Sequence, residues 1–383
     1  MLKNLFNKPS SSGYSSETID ILRLIRSENV GPKTFISLTE LFGSAALALE
    51  NIADFSLRGG KKKPIKIFSK SEAEKEIELL QKNDSYLITY KDQNYSWLLL
   101  QTDDFPPVLT YKGNINLLNS KKCMAIVGAR NCSMNARIFT KGIVEKLREA
   151  GFITVSGLAR GIDTVVHSNS LDGTIAVMAG GIDYIYPPEN EKLFNQITEN
   201  SLVISELPIG TKPLSQHFPY RNRIISGVSI AVAVIEASLK SGSLITANMA
   251  LQQNRDIFAV PGFPLDPRCV GTNRLIKQGA FLLESAEDII TNIISYDDLK
   301  KSLAESESCG NNFKHLANKA TQDVNNRHRK AITELLSSTP ITYEQIAEET
   351  ELPLPVIYTV CLELELAGKV VRHSGNKISL LFE

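Results

Sequence analysis

Residues 124–133 read MAIVGARNCS, an apolar run that ends in small residues and leads into a helical pattern. Six further apolar runs follow, separated by stretches with helical periodicity. The strand candidates are MAIVGA, FITVSG, IAVMAGG, LVISEL, IAVAVIEA, DIFAVPG and AFLLES, and the helix candidates are 135–150, 162–171, 189–200, 219–227, 242–254 and 271–278. Strands that alternate with helices indicate parallel crossover units. Because both the odd and the even positions of each run are apolar, both faces of each strand should be buried. We therefore expect a doubly wound parallel sheet covered on both faces.

The segments on either side of this core have their own patterns. Helix-spaced apolar residues from Glu17, broken at Gly31-Pro32, predict a helical module, and extended and turn signals in 86–120 predict a connector packed on the sheet. From Arg327, three helical patterns and a hairpin predict a winged helix. The predicted organisation is a disordered tail at 1–16, a helical N-terminal module at 17–85, the sheet domain at 86–290, an acidic linker at 291–326 and the winged helix at 327–383.

The composition excludes several classes of protein. Lysine plus arginine and aspartate plus glutamate each total 42, so the chain is not a histone-like polycation. Its 5 cysteines have neither C-x-x-C spacing nor a histidine at ligand spacing, which predicts no disulfide framework and no metal site. The longest apolar run, Ile230 to Ile235, is far shorter than the roughly 20 residues of a membrane span. We therefore expect a cytoplasmic protein that binds no membrane, metal or cofactor.

Small residues follow nearly every predicted strand, at the sheet edge where ligands of open parallel sheets bind. Glycines there let a phosphate approach backbone N–H groups at helix N-termini. The chain has no G-x-x-x-x-G-K-[ST] loop, and its first turn reads GARNCSMNA rather than G-x-G-x-x-G, so neither a P-loop ATPase nor a dinucleotide fingerprint is present. Asp163, Asp183 and Glu206 lie at strand ends without a nearby histidine, and we expect them to bond to loops or caps rather than to catalyse.

Positive charge is concentrated at this edge. Residues 209–282 hold eight basic and three acidic side chains, an excess of five positive charges in a chain of zero net charge. Arg130 and Arg160 at neighbouring strand ends, with the rings of Phe218 and Tyr220, complete a predicted cationic groove. A basic track with stacking rings is how proteins bind single strands without reading their sequence.

The run from Met124 to Ser285 resembles the DNA processing protein A family (DprA, also called Smf). The matching strings are IVGARNCS, SGLARGID, AGGIDYIYPPEN, SELPIGTKP, HFPYRNRIISGVS, VIEASLKSGSLITANMALQQNRDIFAVPG and GTNRLIKQGA. The resemblance implies an extended Rossmann-like domain that binds single-stranded DNA, forms a homodimer and has no catalytic activity. It further implies a recombination mediator that shields incoming DNA during natural transformation and loads the RecA recombinase onto it.

The resemblance also implies which residues bind DNA. They are Gly128 and Arg130 of the first turn, Phe218, Arg221, Asn222 and Arg223 of the F-P-x-R-N-R stretch, and Lys240, Ser241, Gly242, Asn273 and Lys277. An alternative stays open for the arginines, because any of them could instead brace the fold through a carboxylate such as Glu206.

Two flanking motifs also leave alternatives open. Asn29 to Thr34 lie between two helices, either as a helix-hairpin-helix, whose turn amides hold a phosphate, or as a structural turn in a sterile-alpha-motif-like bundle. The third helix of the predicted winged helix, Leu354 to Glu365, has no lysine or arginine, and residues 327–383 carry six basic and eight acidic side chains. An acidic helix repels phosphates, so we expect this module to contact protein or to regulate rather than to read duplex DNA.

Two other functions compete with single-strand binding. A Rossmann-type nucleoside-phosphate hydrolase, similar to the phosphoribohydrolases, needs a Pro-Gly-Gly-x-Gly-Thr turn followed by a catalytic glutamate, whereas residues 241–246 here read SGSLIT. A winged-helix transcriptional regulator needs a third helix that can approach the DNA phosphates, whereas the third helix here is acidic. The sequence therefore favours a single-stranded DNA-binding recombination mediator.

Overall fold

The computed structural model describes residues 13–293, 324–373 and 375–381. Most of the predicted tail at 1–16 and of the predicted acidic linker at 291–326 lies outside these residues. The described chain divides into two compact units, one over 75–293 and one that combines 14–74 with the residues from 324 onwards.

Capping serines, a proline and a glycine set the ends of the N-terminal helices. They are α1 (Ser16–Arg26), α2 (Pro32–Phe42), α3 (Ala45–Arg58) and α4 (Lys70–Lys82). The Ser15 and Ser44 side chains cap α1 and α3 by accepting bonds from backbone N–H groups, and Pro32 occupies the first turn of α2. Gly43 ends α2 at a φ of 84°, a left-handed conformation that favours glycine.

A mixed sheet dominates the first unit. Its strands are β1 (Tyr86–Thr89), β2 (Val108–Gly113), β3 (Cys123–Val127), β4 (Ile153–Ser156), β5 (Thr174–Val177), β6 (Leu202–Ser205), β7 (Ala231–Val234), β8 (Asp256–Ala259) and β9 (Phe281–Leu282). Within the described residues the strand order is β1-β2-β6-β5-β4-β3-β7-β8-β9, and every neighbouring pair among β3 to β9 is parallel. The prediction of a doubly wound parallel sheet is confirmed.

The predicted connector at 86–120 is wrong in part, because this segment supplies two strands of the sheet. β2 pairs antiparallel with β6, in a register that sets Tyr111 opposite Ile204, and β1 pairs antiparallel with β2. The Thr110 hydroxyl also donates to the Ser205 carbonyl at 3.0 Å. The backbone of β2 therefore pairs with the edge of β6, which would otherwise have unpaired N–H and C=O groups.

Helices cover both faces of the sheet. They are α5 (Met134–Glu149), α6 (Ile162–Ser168), α7 (Glu191–Asn200), α8 (His217–Gly227), α9 (Gly242–Gln252) and α10 (Val270–Lys277). Alternate residues of β3 enter different cores: Ala125 and Val127 pack with α8 and α9, whereas Met124 and Ile126 pack with α5 and α6. Burial on both faces explains why the strand sequences show no polar alternation.

The C-terminal residues form the predicted winged helix. Its helices are α11 (Asn326–Leu335), α12 (Tyr343–Thr350) and α13 (Leu354–Leu366), and its strands are β10 (Ile341–Thr342), β11 (Val370–His373) and β12 (Lys377–Leu380). The small sheet has the order β10-β12-β11, and both of its pairs are antiparallel.

The N-terminal helices and the winged helix pack together within the second unit. Gly59 at the end of α3 lies against the backbone of Glu363 in α13, and the Asn29 amide donates to the Leu366 carbonyl at 3.0 Å. Arg372 of β11 donates to the Ser37 hydroxyl at 3.1 Å. Two segments distant in sequence therefore share one interface.

No single helix among the described residues is long and apolar enough to cross a membrane, and α2 and α3 reach the required length and composition only as a pair bent by 104°.

Candidate functional site

The candidate site lies where the strand order of the large sheet reverses. β3 and β7 are neighbours there, but the chain leads from β3 towards β6 on one side and from β7 towards β9 on the other. The loops after β3 and β7 consequently separate and leave a crevice, the usual ligand position in open parallel sheets. A cavity of about 920 Å³ occupies it. Its lining includes eight of the predicted site residues: Gly128, Arg130, Phe218, Arg221, Asn222, Lys240, Ser241 and Gly242.

The turn after β3 is held tightly in place. A β-carbon on Gly128 would lie 2.6 Å from Cγ1 of Ile162, so only glycine fits without a shift of α6. The backbone N–H and the hydroxyl of Ser133 donate to the buried Glu236 carboxylate at 2.9 and 2.7 Å. Since Glu236 follows β7, these bonds join the two sides of the crevice. They fix the loop that carries Arg130.

An aromatic cluster forms one wall of the cavity. The Arg130 guanidinium lies 5.1 Å from the centre of the Phe218 ring, and the Tyr186 ring meets Phe218 edge-on at 5.5 Å between ring centres. Tyr186 is 44% exposed. The residue was not predicted, although it lies in the string AGGIDYIYPPEN that follows the third predicted strand. Phe218 is half-buried, so a cation beside one exposed and one half-buried ring offers both charge and stacking surface.

The start of α9 forms another wall. The Ser241 hydroxyl caps the helix by accepting from the Ser243 N–H at 3.4 Å, and the Asn222 amide donates to the Gly242 carbonyl at 3.3 Å. Lys240 is exposed just before this cap. In the described part of the chain, no ion pair joins Arg130 or Lys240 to a carboxylate. Two unpaired cations and a helix N-terminus give the cavity a positive potential.

Arg221 lies at the floor of the cavity and serves the fold. Its guanidinium donates to the Gly157 carbonyl at 2.7 Å and to the Val177 carbonyl, so it links the ends of β4 and β5. A β-carbon on Gly157 would lie 2.5 Å from this guanidinium. Burial lowers the pKa of Arg221 to about 10, which keeps it charged at neutral pH. Burial also raises the pKa of the adjacent Asp163, which accepts bonds from backbone N–H groups.

Arg223 lies outside the cavity lining. It is 4% exposed, and it pairs with Glu206 at 2.6 Å and with Asp104 at 3.5 Å. Burial disfavours its charge, but Glu206, Tyr220 and Asp104 together outweigh that effect and hold the pKa of Arg223 above its ordinary value. The Tyr220 ring stacks on the same guanidinium at 4.3 Å and also lies outside the lining. This arrangement is the bracing alternative that the sequence left open.

Three more basic or polar residues from the predicted groove lie away from the cavity. Asn273 exchanges bonds of 3.1 and 2.8 Å with the backbone of Gly262, and Lys277 is exposed near the end of α10. Arg160 pairs with Glu189 at 2.5 Å. The structure therefore gathers the predicted residues of the first turn and of the F-P-x-R-N-R stretch, except Arg223, around the cavity, and it leaves Asn273 and Lys277 elsewhere.

Carboxylates at the strand ends are engaged by the protein itself, as expected. Asp163 accepts from the N–H groups of Gly157 and Ala159, and Asp183 accepts from the N–H of Gly210 at 2.8 Å. Among the described residues, no cluster of three His, Cys, Asp or Glu side chains could hold a metal ion. The cations Arg130 and Lys240 beside the rings of Phe218 and Tyr186 suit the cavity to bind an anion next to an aromatic surface.

Comparisons with known proteins identify the family to which the chain belongs. A family model described as DNA recombination-mediator protein A matches residues 86–294. A model of a DprA-like N-terminal HHH domain matches 15–78, and one of a DprA winged helix domain matches 317–376. The HHH description corresponds to the helix-hairpin-helix alternative for Asn29 to Thr34.

Individual relatives of the chain are also DNA processing proteins. The DNA processing protein DprA of Streptococcus pneumoniae is 43% identical over 202 residues, which cover 52% of this chain and 71% of the relative. The crystal structure of the Streptococcus pneumoniae protein has a TM-score of 0.60 at 33% identity, covering 73% of this chain and 98% of that chain. The DNA processing protein A of Helicobacter pylori, described for its single-stranded DNA binding mode, has a TM-score of 0.51 at 28% identity and covers 55% of this chain and 96% of that chain.

Proposed function

The chain belongs to the DNA recombination-mediator protein A family, and from this premise we propose that its switch-point cavity binds single-stranded DNA. The observation that carries the proposal is the unpaired Arg130 guanidinium, held 5.1 Å from the Phe218 ring inside a cavity of about 920 Å³. A single strand presents both phosphates and unstacked bases. This cavity places a cation and an aromatic surface where one nucleotide reaches both.

Some residues around the cavity contact the bases of the strand, and others contact its phosphate backbone. Phe218 and Tyr186 stack on bases, which are accessible only when the strand is unpaired. Arg130, Lys240 and the N-terminus of α9 hold the phosphates that flank the stacked base. Because these contacts use base faces and phosphates rather than base edges, binding shows little sequence preference.

Three residues of α8 hold the elements around the cavity in position: Arg221, Asn222 and Arg223. Arg221 fixes the ends of β4 and β5, and Arg223 fixes α8 against Glu206. Asn222 connects α8 to the first turn of α9. We assign these residues to positioning, and Arg130 and Lys240 to direct contact with phosphate.

The proposal includes a role in the cell and two protein partners. The protein acts without bond-breaking chemistry as a recombination mediator that protects incoming single strands during natural transformation and loads the RecA recombinase, which acts in the cytoplasm. It works as a homodimer. The strand β9, at the edge of the sheet formed by the described residues, supports self-association, because Phe281 and Leu282 are exposed by 42% and 44% and an apolar edge strand favours pairing with a second copy.

A gel-shift comparison of single-stranded and duplex DNA of one sequence tests the proposed cavity. The wild-type chain and the double variant Phe218→Ala, Tyr186→Ala are measured at two salt concentrations. We expect tighter binding to the single strand, and we expect the variant to lose that preference. Equal binding of both DNAs by the wild-type chain, or a preference that survives in the variant, would contradict the proposal.

A further inference from the structure

The basic loop at Lys61 to Lys63 has no part in the switch-point cavity. It follows α3 in the second unit, where the N-terminal helices pack on the winged helix. Lys61 pairs with Glu28 at 2.5 Å, whereas Lys62 and Lys63 are exposed. A run of exposed lysines beside a folded interface prompts the question of what anion it meets.

Winged helices usually insert their third helix into a DNA groove, but in this unit the third helix, α13, is poorly suited to that role. Ile357 and Val360 of α13 lie in the core of the winged helix, while Glu363 on the same helix faces Gly59 of the N-terminal module. Arg329 of α11 covers the Glu363 carboxylate with bonds of 2.7 and 2.8 Å. Helix α13 is thus covered by protein on several sides and carries no lysine or arginine. Because its exposed side chains, such as Leu354 and Tyr358, offer no positive charge to phosphates, another surface of this unit is better suited to contact DNA.

Such a surface lies at the seam between the two modules. A cavity of about 360 Å³ is bordered by the end of α3, by α11 and by the segment after α13. Four cations border it: Arg58, Arg329, Lys330 and Lys369. Two of them are neutralised locally, because Arg329 pairs with Glu363 and Lys330 lies 3.7 Å from Glu334.

Arg58 and Lys369 supply the charge that remains. In the described part of the chain, neither forms an ion pair with a carboxylate. The Lys369 ammonium lies so close to Gly60 that a β-carbon there would collide with it, which places this cation at the end of α3. Arg58 is held 5.4 Å from the centre of the Phe55 ring, and the exposed Lys62 and Lys63 follow directly after. One module contributes Arg58 and the loop, and the other contributes Lys369.

We propose that this seam, defined by Arg58, Lys62, Lys63 and Lys369, is a second DNA-contact site that binds phosphodiester groups of the backbone. The residues that border the cavity include no aromatic side chain, so the site offers charge without a stacking surface. It therefore recognises phosphates in either duplex or single-stranded DNA. The proposal rests on the proposed function only in taking DNA as the polyanion.

The test uses the full chain and the double variant Arg58→Gln, Lys369→Gln. A double variant with the same change of charge, Lys70→Gln, Lys377→Gln, is the control, because both lysines are exposed and neither borders the cavity. Affinity is measured against salt concentration for a duplex and for a single strand of equal length. Each phosphate contact contributes about 0.9 to the slope of log affinity against log salt for duplex and about 0.7 for single strands.

We expect the seam variant to lower the slope by about 1.8 on duplex or about 1.4 on the single strand, and the control to change neither. The DNA whose slope falls is the one that occupies the seam. Slopes equal to those of the control on both DNAs, or no measurable binding of either DNA, would overturn the proposal. A parallel measurement with Phe218→Ala separates the two sites: if that variant keeps full single-strand affinity while the seam slope falls, the switch-point proposal fails and the seam stands.

Discussion

Arg130 and Arg223 carry the same guanidinium group in opposite environments. Arg130 is exposed over the Phe218 ring, whereas Arg223 is buried with Glu206 at 2.6 Å. An exposed cation costs little to remove, while removing one partner of a buried pair leaves an uncompensated charge inside the protein. The two arginines should therefore respond to substitution in different measurements.

Arg130→Gln is expected to lower the slope of log single-strand affinity against log salt by about 0.7, with an unchanged melting temperature. Arg223→Gln is expected to leave the slope unchanged and to lower the free energy of unfolding by about 3–5 kcal/mol. Salt titrations and thermal melts on the same two variants check both expectations. A slope that falls for Arg223→Gln, or a destabilised Arg130→Gln, would reverse the assignment.

His167 is a buried residue of α6 that makes the stability of the fold depend on pH. Burial, with a further contribution from Arg221, lowers the pKa of His167 from 6.5 to about 3 in the folded state. The unfolded chain therefore binds one more proton in this pH range, so stability falls as the pH drops below 6.5. Between pH 7 and pH 5 this single residue should reduce the free energy of unfolding by about 2 kcal/mol.

Denaturant titrations at pH 7 and pH 5 on wild type and His167→Gln test this expectation. Glutamine does not titrate, so the variant should lose about 2 kcal/mol less than wild type on acidification, whatever its stability at pH 7. The Nδ1 atom of His167 bonds to the Thr174 hydroxyl at 2.8 Å, and the glutamine amide offers a replacement for that bond. Identical pH dependence in the two proteins would show that His167 titrates with the same pKa in the folded and the unfolded state.

At the scale of elements, the order of strands and helices could be predicted, but the partners of single side chains could not. Seven apolar runs separated by helical periodicity were sufficient for the sheet and for the edge that holds the site. The sequence also placed Arg221 and Arg223 together on one stretch. Because they are two residues apart on α8, their side chains leave the helix in directions about 160° apart. Arg221 therefore reaches the carbonyls of Gly157 and Val177, and Arg223 reaches Glu206. Which neighbour each would meet depends on the tertiary fold.

The same limit explains what was missed elsewhere. Tyr186 joins Phe218 because the segment after β5 returns over the cavity, and no local pattern fixes that path. The strands β1 and β2 were not predicted, because antiparallel strands added at a sheet edge lack the alternation of strand and helix that identified the parallel strands. The packing of α3 on α13 joins residues about 300 positions apart and leaves no periodic signal in either.

The contact between α3 and α13 can be tested with a matched pair of glycines. Gly59 has an ordinary helical φ of −67°, but a β-carbon there would collide with the backbone of Glu363, whereas a β-carbon on Gly142 meets nothing within 4 Å. Gly59→Ala should lower the free energy of unfolding of this unit by about 1–3 kcal/mol through overpacking. Gly142→Ala should raise stability by about 0.5–1 kcal/mol, since alanine favours a helix interior.

Hydrogen exchange of amides 354–366 gives the local measurement for this pair. Faster exchange in Gly59→Ala and unchanged exchange in Gly142→Ala are expected, because only Gly59 contacts α13. If the two variants protect α13 equally, the N-terminal helices do not pack on the winged helix as described.

At the scale of the whole molecule, the proposed dimer is expected to depend on the β9 edge. Leu282→Lys places a charge on a side chain that is 44% exposed at that edge, and Leu79→Lys on α4, where the leucine is 49% exposed, is the control. Light scattering should find a monomer for Leu282→Lys and a dimer for the wild type and for Leu79→Lys. A dimeric Leu282→Lys would place self-association on another surface.

The central claim is that Phe218 stacks on a base of a single strand in the switch-point cavity. The most direct measurement is the single-strand affinity of Phe218→Ala beside that of Phe263→Ala, whose ring is 69% exposed and lies outside the cavity lining. We expect a loss of about 1–3 kcal/mol in binding free energy for Phe218→Ala with an unchanged salt slope, and wild-type affinity for Phe263→Ala. Wild-type affinity for Phe218→Ala, or an equal loss in both variants, would contradict it.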